Sequence, residues 1–139
     1  MPGRKDILSF EESTRFIEAL QGIQKRVQWK PGKGMAHLNK RRAMGHLAQA
    51  ASMTDYEEII HNIVGNAGNL VYIYEFPRHQ YYGIRGIINQ VEWLVIFGEG
   101  GGMETAFPPD DMDEYLERRG FVFIGRIEEV LKWTTKRES

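Results

Sequence analysis

Two histidines and three consecutive basic residues share the stretch Met35-Ala-His-Leu-Asn-Lys-Arg-Arg-Ala-Met-Gly-His-Leu47. A neutral imidazole can take up a proton near pH 7, and Lys or Arg stabilises charge that develops on a phosphoryl group. His37 and His46 are thus candidate acid–base groups, and Lys40, Arg41 and Arg42 are candidate anion contacts. Two strand-like segments add to the set. Arg85 sits between the glycines of Tyr81-Tyr-Gly-Ile-Arg-Gly86, where bare backbone leaves room for a ligand or a neighbouring side chain. Thr105, in Met103-Glu-Thr-Ala-Phe107, offers a hydroxyl. By the period of two it should share a face with Met103 and Phe107 and oppose Glu104, which is free to pair with a base. For each of these residues the alternative is an ordinary packed or solvated side chain.

The element that must hold the histidines is expected to be a helix over Met35–Ala51. At ~100° per residue, Ala36, Ala43, Met44, Leu47, Ala50 and Ala51 fall on one face, which should lie on a sheet. Arg41, Arg42, Gly45 and Gln49 fall opposite, toward water. His37 and His46 lie on opposite edges of the apolar stripe and cannot act as a pair. Lys40 falls within the stripe, where it must snorkel or find a partner. No His-x3-His pair and no Cys is present, so a zinc site is not expected.

The flanking elements follow from local signals. Ser9-Phe-Glu-Glu12 reads as a capping box for a helix with apolar residues at Phe16, Leu20, Ile23 and Val27. Trp29–Gly34 reads as a loop. Thr54-Asp-Tyr-Glu57 caps a second amphipathic pattern at Tyr56, Ile59, Ile60, Ile63 and Val64, stopped by Gly65–Asn69. Leu70–Phe76, Gln80–Ile88, Val91–Phe97 and Met103–Phe107 are short β-prone runs, separated by Pro77-Arg78-His79, Asn89-Gln90 and Gly98–Gly102. These predict an antiparallel meander. Trp93–Phe97 is apolar on both faces and reads as central. A short helix over Asp110–Arg119, a fifth strand over Phe121–Ile124, a last helix over Arg126–Trp133 and a frayed tail complete the chain.

The expected architecture is α+β, with N-terminal helices packed on one face of a four- to five-stranded antiparallel meander. One domain over residues 1–139 is expected: an N-terminal helix and loop (1–34), a helical pair (35–66), the sheet (70–109) and a C-terminal helix/strand/helix (110–139). With 42% hydrophobic and 27% charged residues and no Cys, the composition is globular and excludes a thiolate nucleophile or a disulfide scaffold. No apolar run nears the ~20 residues that span a bilayer. No apolar stretch follows the first six residues, so neither a secretory signal nor a membrane partner is expected, and a cytoplasmic location is.

Charge is divided unevenly. Residues 1–51 carry ten Lys/Arg against four Asp/Glu, and residues 52–139 carry eight against fifteen. A basic surface for a polyanion is one reading, and two halves packed on each other is the other. Tyr72, Tyr74, Tyr81, Tyr82 and Trp93 are able to stack nucleobases or to fill a core.

The ordered features resemble a known group. A His/Lys/Arg-bearing helix precedes a capped helix; then comes a meander containing Trp93-Leu-Val-Ile-Phe-Gly98 and Glu104-Thr-Ala-Phe-Pro-Pro109. This resembles the metal-independent ribonuclease superfamily of barnase, EndoU, colicin-type tRNases and RelE-like toxins. His37-x3-Arg41 is similar to the His-x3-Arg helix of its small toxin-like domains, and the Thr-Ala-Phe-Pro ending to its last core strand. The resemblance covers about residues 35–109. It implies an endoribonuclease, a toxin or a toxin-derived domain, that cleaves RNA such as tRNA or mRNA by 2′-OH attack without a cofactor. It further implies His37 as base or acid with His46 competing, Lys40 and Arg41 as phosphate clamps, Thr105 as an orienting hydroxyl, and Arg85 as a weaker clamp. Apart from the resemblance, Arg42 and His46, four residues apart, form a basic cluster of their own on the other edge of the helix, with Arg42 as a further candidate phosphate contact. A cognate antitoxin or immunity protein would be a partner. The alternatives are a non-catalytic RNA- or protein-binding module on the same fold, or an immunity-type protein that binds a basic partner through its acidic C-terminal half.

Overall fold

Alternation along the β-prone runs decides the architecture. In the computed structural model, which describes residues 8–74 and 81–138, these runs build one six-stranded sheet. Its strands are β1 (Gln28–Trp29), β2 (Leu70–Tyr74), β3 (Tyr81–Ile88), β4 (Val91–Gly98), β5 (Gly102–Phe107) and β6 (Phe121–Arg126). They lie in the order β1-β5-β4-β3-β2-β6. The helices are α1 (Phe10–Lys25), α2 (Lys33–Ala43), α3 (Met53–Gly65), α4 (Met112–Arg119) and α5 (Ile127–Glu138). The α+β class and the β2–β5 meander are as expected; the turn at Pro77-Arg78-His79 lies outside the described residues.

Three expectations about the architecture need correction. The sheet is mixed, because β1 pairs in parallel with β5. A two-residue strand carries too little periodicity to announce itself, and the Trp29–Gly34 segment was expected to be loop throughout. The N-terminal helices share one face as expected, but the sheet is also covered on its other face, by α4. Val71, Ile73, Tyr82, Ile84, Val95 and Phe97 face α1, α3 and α5, whereas Tyr72, Leu94, Ile96 and Phe121 face α4 with Met112 and Leu116. Successive strand side chains point to opposite sides, so β4, apolar on both faces, requires cover on both. Finally, α5 continues to Glu138, past the expected stop at Trp133.

Caps fix the helix starts. Ser9 and Glu12 form the expected reciprocal box at α1. At α3 the box is Ser52 with Asp55, two residues before the expected Thr54-to-Glu57 pair. Both pairs have the same spacing, and the earlier one wins because Met53 already has helical geometry.

The β4–β5 register slips between Ile96 and Phe97: Ile96 pairs with Thr105, but Phe97 pairs with Met103. Glu104 is the extra residue of a bulge, which reverses the alternation on either side of it. Met103 therefore turns into the α1/α3/α5 core, and Thr105 shares its face only with Phe107. The expectation that all three share one face fails at this bulge.

Candidate functional site

The phase of α2 places the site. The helix ends at Ala43 rather than Ala51, and Gly45 follows at φ 75, the left-handed geometry that closes a helix. The Arg41 carbonyl accepts from the His46 and Leu47 amides, so the chain turns away there. Residues 44–51 had contributed most of the expected apolar stripe. Without them the buried positions of α2 are Gly34, Leu38 and Arg41, while Ala36, Lys40, Ala43 and Met44 are exposed. The expected burial face is inverted: Lys40 is in water and Arg41 is in the protein.

His37 is half-buried at the junction of α2, β1 and β5. Its ring stacks on Trp29 with centroids 5.6 Å apart, and Trp29 stacks on Tyr56 at 5.6 Å. The column is pinned at its base. Trp29 Nε1 donates to Glu57 Oε2 at 3.0 Å, and the Tyr56 hydroxyl donates to the Ala106 carbonyl at 2.6 Å. Burial pushes the Tyr56 hydroxyl up to about 12, so it remains a donor. His37 Nδ1 lies 3.4 Å from Thr105 Oγ1. Burial is the largest influence lowering the His37 pKa, followed by the charges of Arg41, Lys33 and Lys40, with Glu104 acting in the opposite sense. Burial and the three neighbouring cations thus favour the neutral imidazole over the imidazolium.

His37 and Thr105 open onto a cleft of about 620 Å³ on the α4 side of the sheet. Lys30, Lys33, Arg118 and Arg119 supply cationic side chains to it. Among the described residues Glu104 is the one carboxylate that lines it, 3.7 Å from Lys30. Lys30 and Lys33 come from the turn into α2, and Arg118 and Arg119 from the last turn of α4. The cleft thus draws cations from both halves of the chain, including the half that is acidic in sum. Ile96 and Phe121 line its floor, with Tyr74, Tyr81 and Tyr115 around them.

The remaining sequence candidates lie elsewhere. Arg41 is 3% exposed and lines neither this cleft nor its neighbour. It donates from Nη1 to His46 Nδ1 at 3.1 Å and lies over the Phe107 ring, 5.5 Å from the centroid. Its Nε has no partner among the described residues. Guanidinium has no acceptor atom, so His46 Nδ1 must be unprotonated and His46 is the neutral Nε2–H tautomer. Burial and then the Arg41 charge lower its pKa, in agreement. His46 lines a second cleft of about 390 Å³ beside Phe107, Asp110 and Glu114. Arg42 donates to the Ala51 carbonyl and to Asn39 Oδ1, which ties down the segment after α2. Arg85 donates to Glu92 at 2.6 Å, to Asp113 at 2.8 Å and to the Tyr72 hydroxyl at 3.2 Å. Burial alone would lower its pKa, but these bonds hold it above the ordinary arginine value. The space beside Arg85 is taken by neighbours: Leu94 and Phe121 pack against Gly83, and Asn69 and Ile63 against Gly86.

The structure therefore joins His37 with Thr105 and separates them from Lys40, Arg41, Arg42, His46 and Arg85. Lys30, Lys33, Arg118, Arg119 and Tyr115 take the places around them, and none of these is among the candidates that residue type and spacing suggest. A pair of lysines straddling Pro31-Gly32 just before a helix was a readable hint, since helix N-termini favour anions. Among the described residues no group of three or more His, Asp or Glu side chains could hold a metal ion, and no helix is long and apolar enough to cross a membrane. No protein-family model matches the chain, nor does any curated protein or solved structure.

Proposed function

We propose that the protein is a metal-independent endoribonuclease whose site is the His37–Thr105 cleft. One observation carries the reading: a half-buried histidine meets a strand hydroxyl inside a cleft that four Lys and Arg side chains line. With Nδ1–H donating to Thr105 Oγ1, Nε2 is left as the basic nitrogen. It takes the proton from a ribose 2′-OH, the 2′-oxygen bonds to the adjacent phosphorus, and the P–O5′ bond breaks. The leaving 5′-oxygen takes a proton from water, so the products are a 2′,3′-cyclic phosphate and a 5′-hydroxyl. Lys33 and Arg118 offset the negative charge on the phosphoryl oxygens, where preorganised cations act most strongly. Lys33 thus replaces Lys40 as the proposed clamp.

The length of the His37–Thr105 contact favours one competing reading, an RNA-binding module on the same cleft without catalysis. A partner-binding surface on the acidic C-terminal half draws less support, because Asp111 caps α4 and Asp113 pairs with Arg85. The test is incubation of the protein with labelled RNA in the presence of EDTA, beside His37→Ala and His46→Ala. Cleavage that leaves cyclic-phosphate ends, is lost in His37→Ala and persists in His46→Ala is the expected result. An inert wild type that still binds RNA would replace this reading with the binding module.

A further inference from the structure

The end of the cleft away from His37 holds side chains that the transfer chemistry does not use. Tyr74 closes β2, Tyr81 opens β3 and Phe121 opens β6, all on the α4 face of the sheet. Their rings adjoin, with Tyr74 centred 6.2 Å from Tyr81 and 5.4 Å from Phe121. Register accounts for part of this, since Tyr74 and Phe121 are direct cross-strand partners. Tyr74 and Tyr81 keep part of their surface open to the cleft, whereas Tyr72, Tyr82 and Trp93 are buried. Tyr115 reaches the cleft from α4, fixed edge-on against Phe107 at 5.0 Å, with the Arg119 guanidinium 5.6 Å from its ring centroid. Adjacent strands are ~4.8 Å apart, so the Tyr81 strand lies about 10 Å across the sheet from the Thr105 strand.

Tyr74 and Tyr81 are only half-buried and line the same cleft as Arg118 and Arg119. Such a surface suits flat, apolar-faced rings attached to phosphates. We infer that Tyr74 and Tyr81 form a nucleobase subsite, so that the cleft takes single-stranded RNA with the base flanking the reacting phosphate stacked on this floor. The inference rests on the ribonuclease reading of the same cleft. A base offers its face only when it is unpaired and unstacked, which a duplex does not allow. Arg118 and Arg119 stand where the backbone of that flanking nucleotide would run.

The test uses His37→Ala, which keeps substrate intact, titrated with a single-stranded oligoribonucleotide carrying 2-aminopurine and with the same strand annealed to its complement. The single strand should bind with quenched fluorescence, and the duplex should bind about 5- to 150-fold more weakly, the span of one lost stacking contact. Adding Tyr81→Ala should cost a similar factor and abolish quenching, while Tyr81→Phe should keep both. If Tyr81→Ala melts below the assay temperature, Tyr81→Leu supplies the same comparison without a π-face. Equal binding of duplex and single strand, or unquenched binding indifferent to Tyr81, overturns the subsite even if the wild type cleaves RNA. Absence of binding to any RNA overturns it as well. Tyr81-dependent quenching with an inert wild type keeps the subsite and removes only the catalytic reading.

Discussion

Thr105 Oγ1 and His37 Nδ1, 68 residues apart in the chain, lie 3.4 Å from each other because two irregularities coincide. The bulge at Glu104 turns Thr105 to the cleft side of β5, and β1 pairs alongside β5 to deliver Trp29, on which the His37 ring stacks. The contact can fix the tautomer of His37 and limit its rotation, as an orienting partner does for a general base.

Replacing His37 by Ala should reduce cleavage by about 10²- to 10⁴-fold, the usual worth of a positioned acid–base group. Thr105→Val should lower kcat with little change in KM, and Thr105→Ser should restore it. Single-turnover kinetics on a labelled RNA check both. Equal loss in Val and Ser variants would show that the hydroxyl is not what matters.

The rate should rise with pH and level off, because the neutral imidazole is the active form. The His37 pKa is lowered from 6.5, so the acid limb should have its midpoint below 6.5. Lys33 contributes to that lowering, so Lys33→Gln should move the midpoint to higher pH. A pH–rate profile of each protein decides, and a midpoint above 6.5 in the wild type would argue against His37 as the base.

Salt dependence separates the cations. Each lost phosphate contact on a single strand should reduce the slope of log affinity against log salt by about 0.7. Lys33→Ala and Arg118→Ala should each show that change. Lys40→Ala, removing a side chain that lines neither cleft, should leave the slope as it was. Binding isotherms at several salt concentrations provide the readout.

Arg41→Met tests what a buried guanidinium with an orphaned Nε does here. Exchanging a buried charge that has no carboxylate partner for an apolar side chain of similar volume should be neutral or raise the unfolding temperature. KM should stay unchanged if Arg41 is no phosphate clamp. Since the Arg41 charge lowers the His37 pKa, its removal should shift the acid limb of the rate profile to higher pH. A large rise in KM would restore the clamp role that the His-x3-Arg resemblance implies.

Arg85→Met should act on stability and not on cleavage. It would break partly buried, charge-assisted bonds to Glu92 and Asp113, of which Asp113 is mostly exposed, at a cost of about 1–2 kcal/mol. Chemical denaturation measures the loss, and an unaltered kcat/KM in the folded variant excludes substrate contact.

Structure that neighbours in the chain decide is legible in one dimension. The Ser9–Glu12 box starts α1, the Tyr56/Ile60/Ile63 spacing makes α3, and β-prone runs with short connections make the meander. These rest on hydrogen bonds and side-chain periods that span a few residues, so they can be read in one dimension. Even the two-sided cover of the sheet was present in Trp93–Phe97, whose alternate residues are all apolar. Which residues face the cleft depends on long-range packing. Helical phase is an angle accumulated from assumed ends, and the stop at Gly45 removed half the stripe and exchanged Lys40 for Arg41. A single bulge residue, Glu104, put Met103 and Thr105 on opposite sides. Lys30 and Lys33 meet Arg118 and Arg119 only because β5, β4, β3, β2 and β6 lie side by side between them. Strand order and helix docking are set by long-range burial, to which no local pattern of charge gives access.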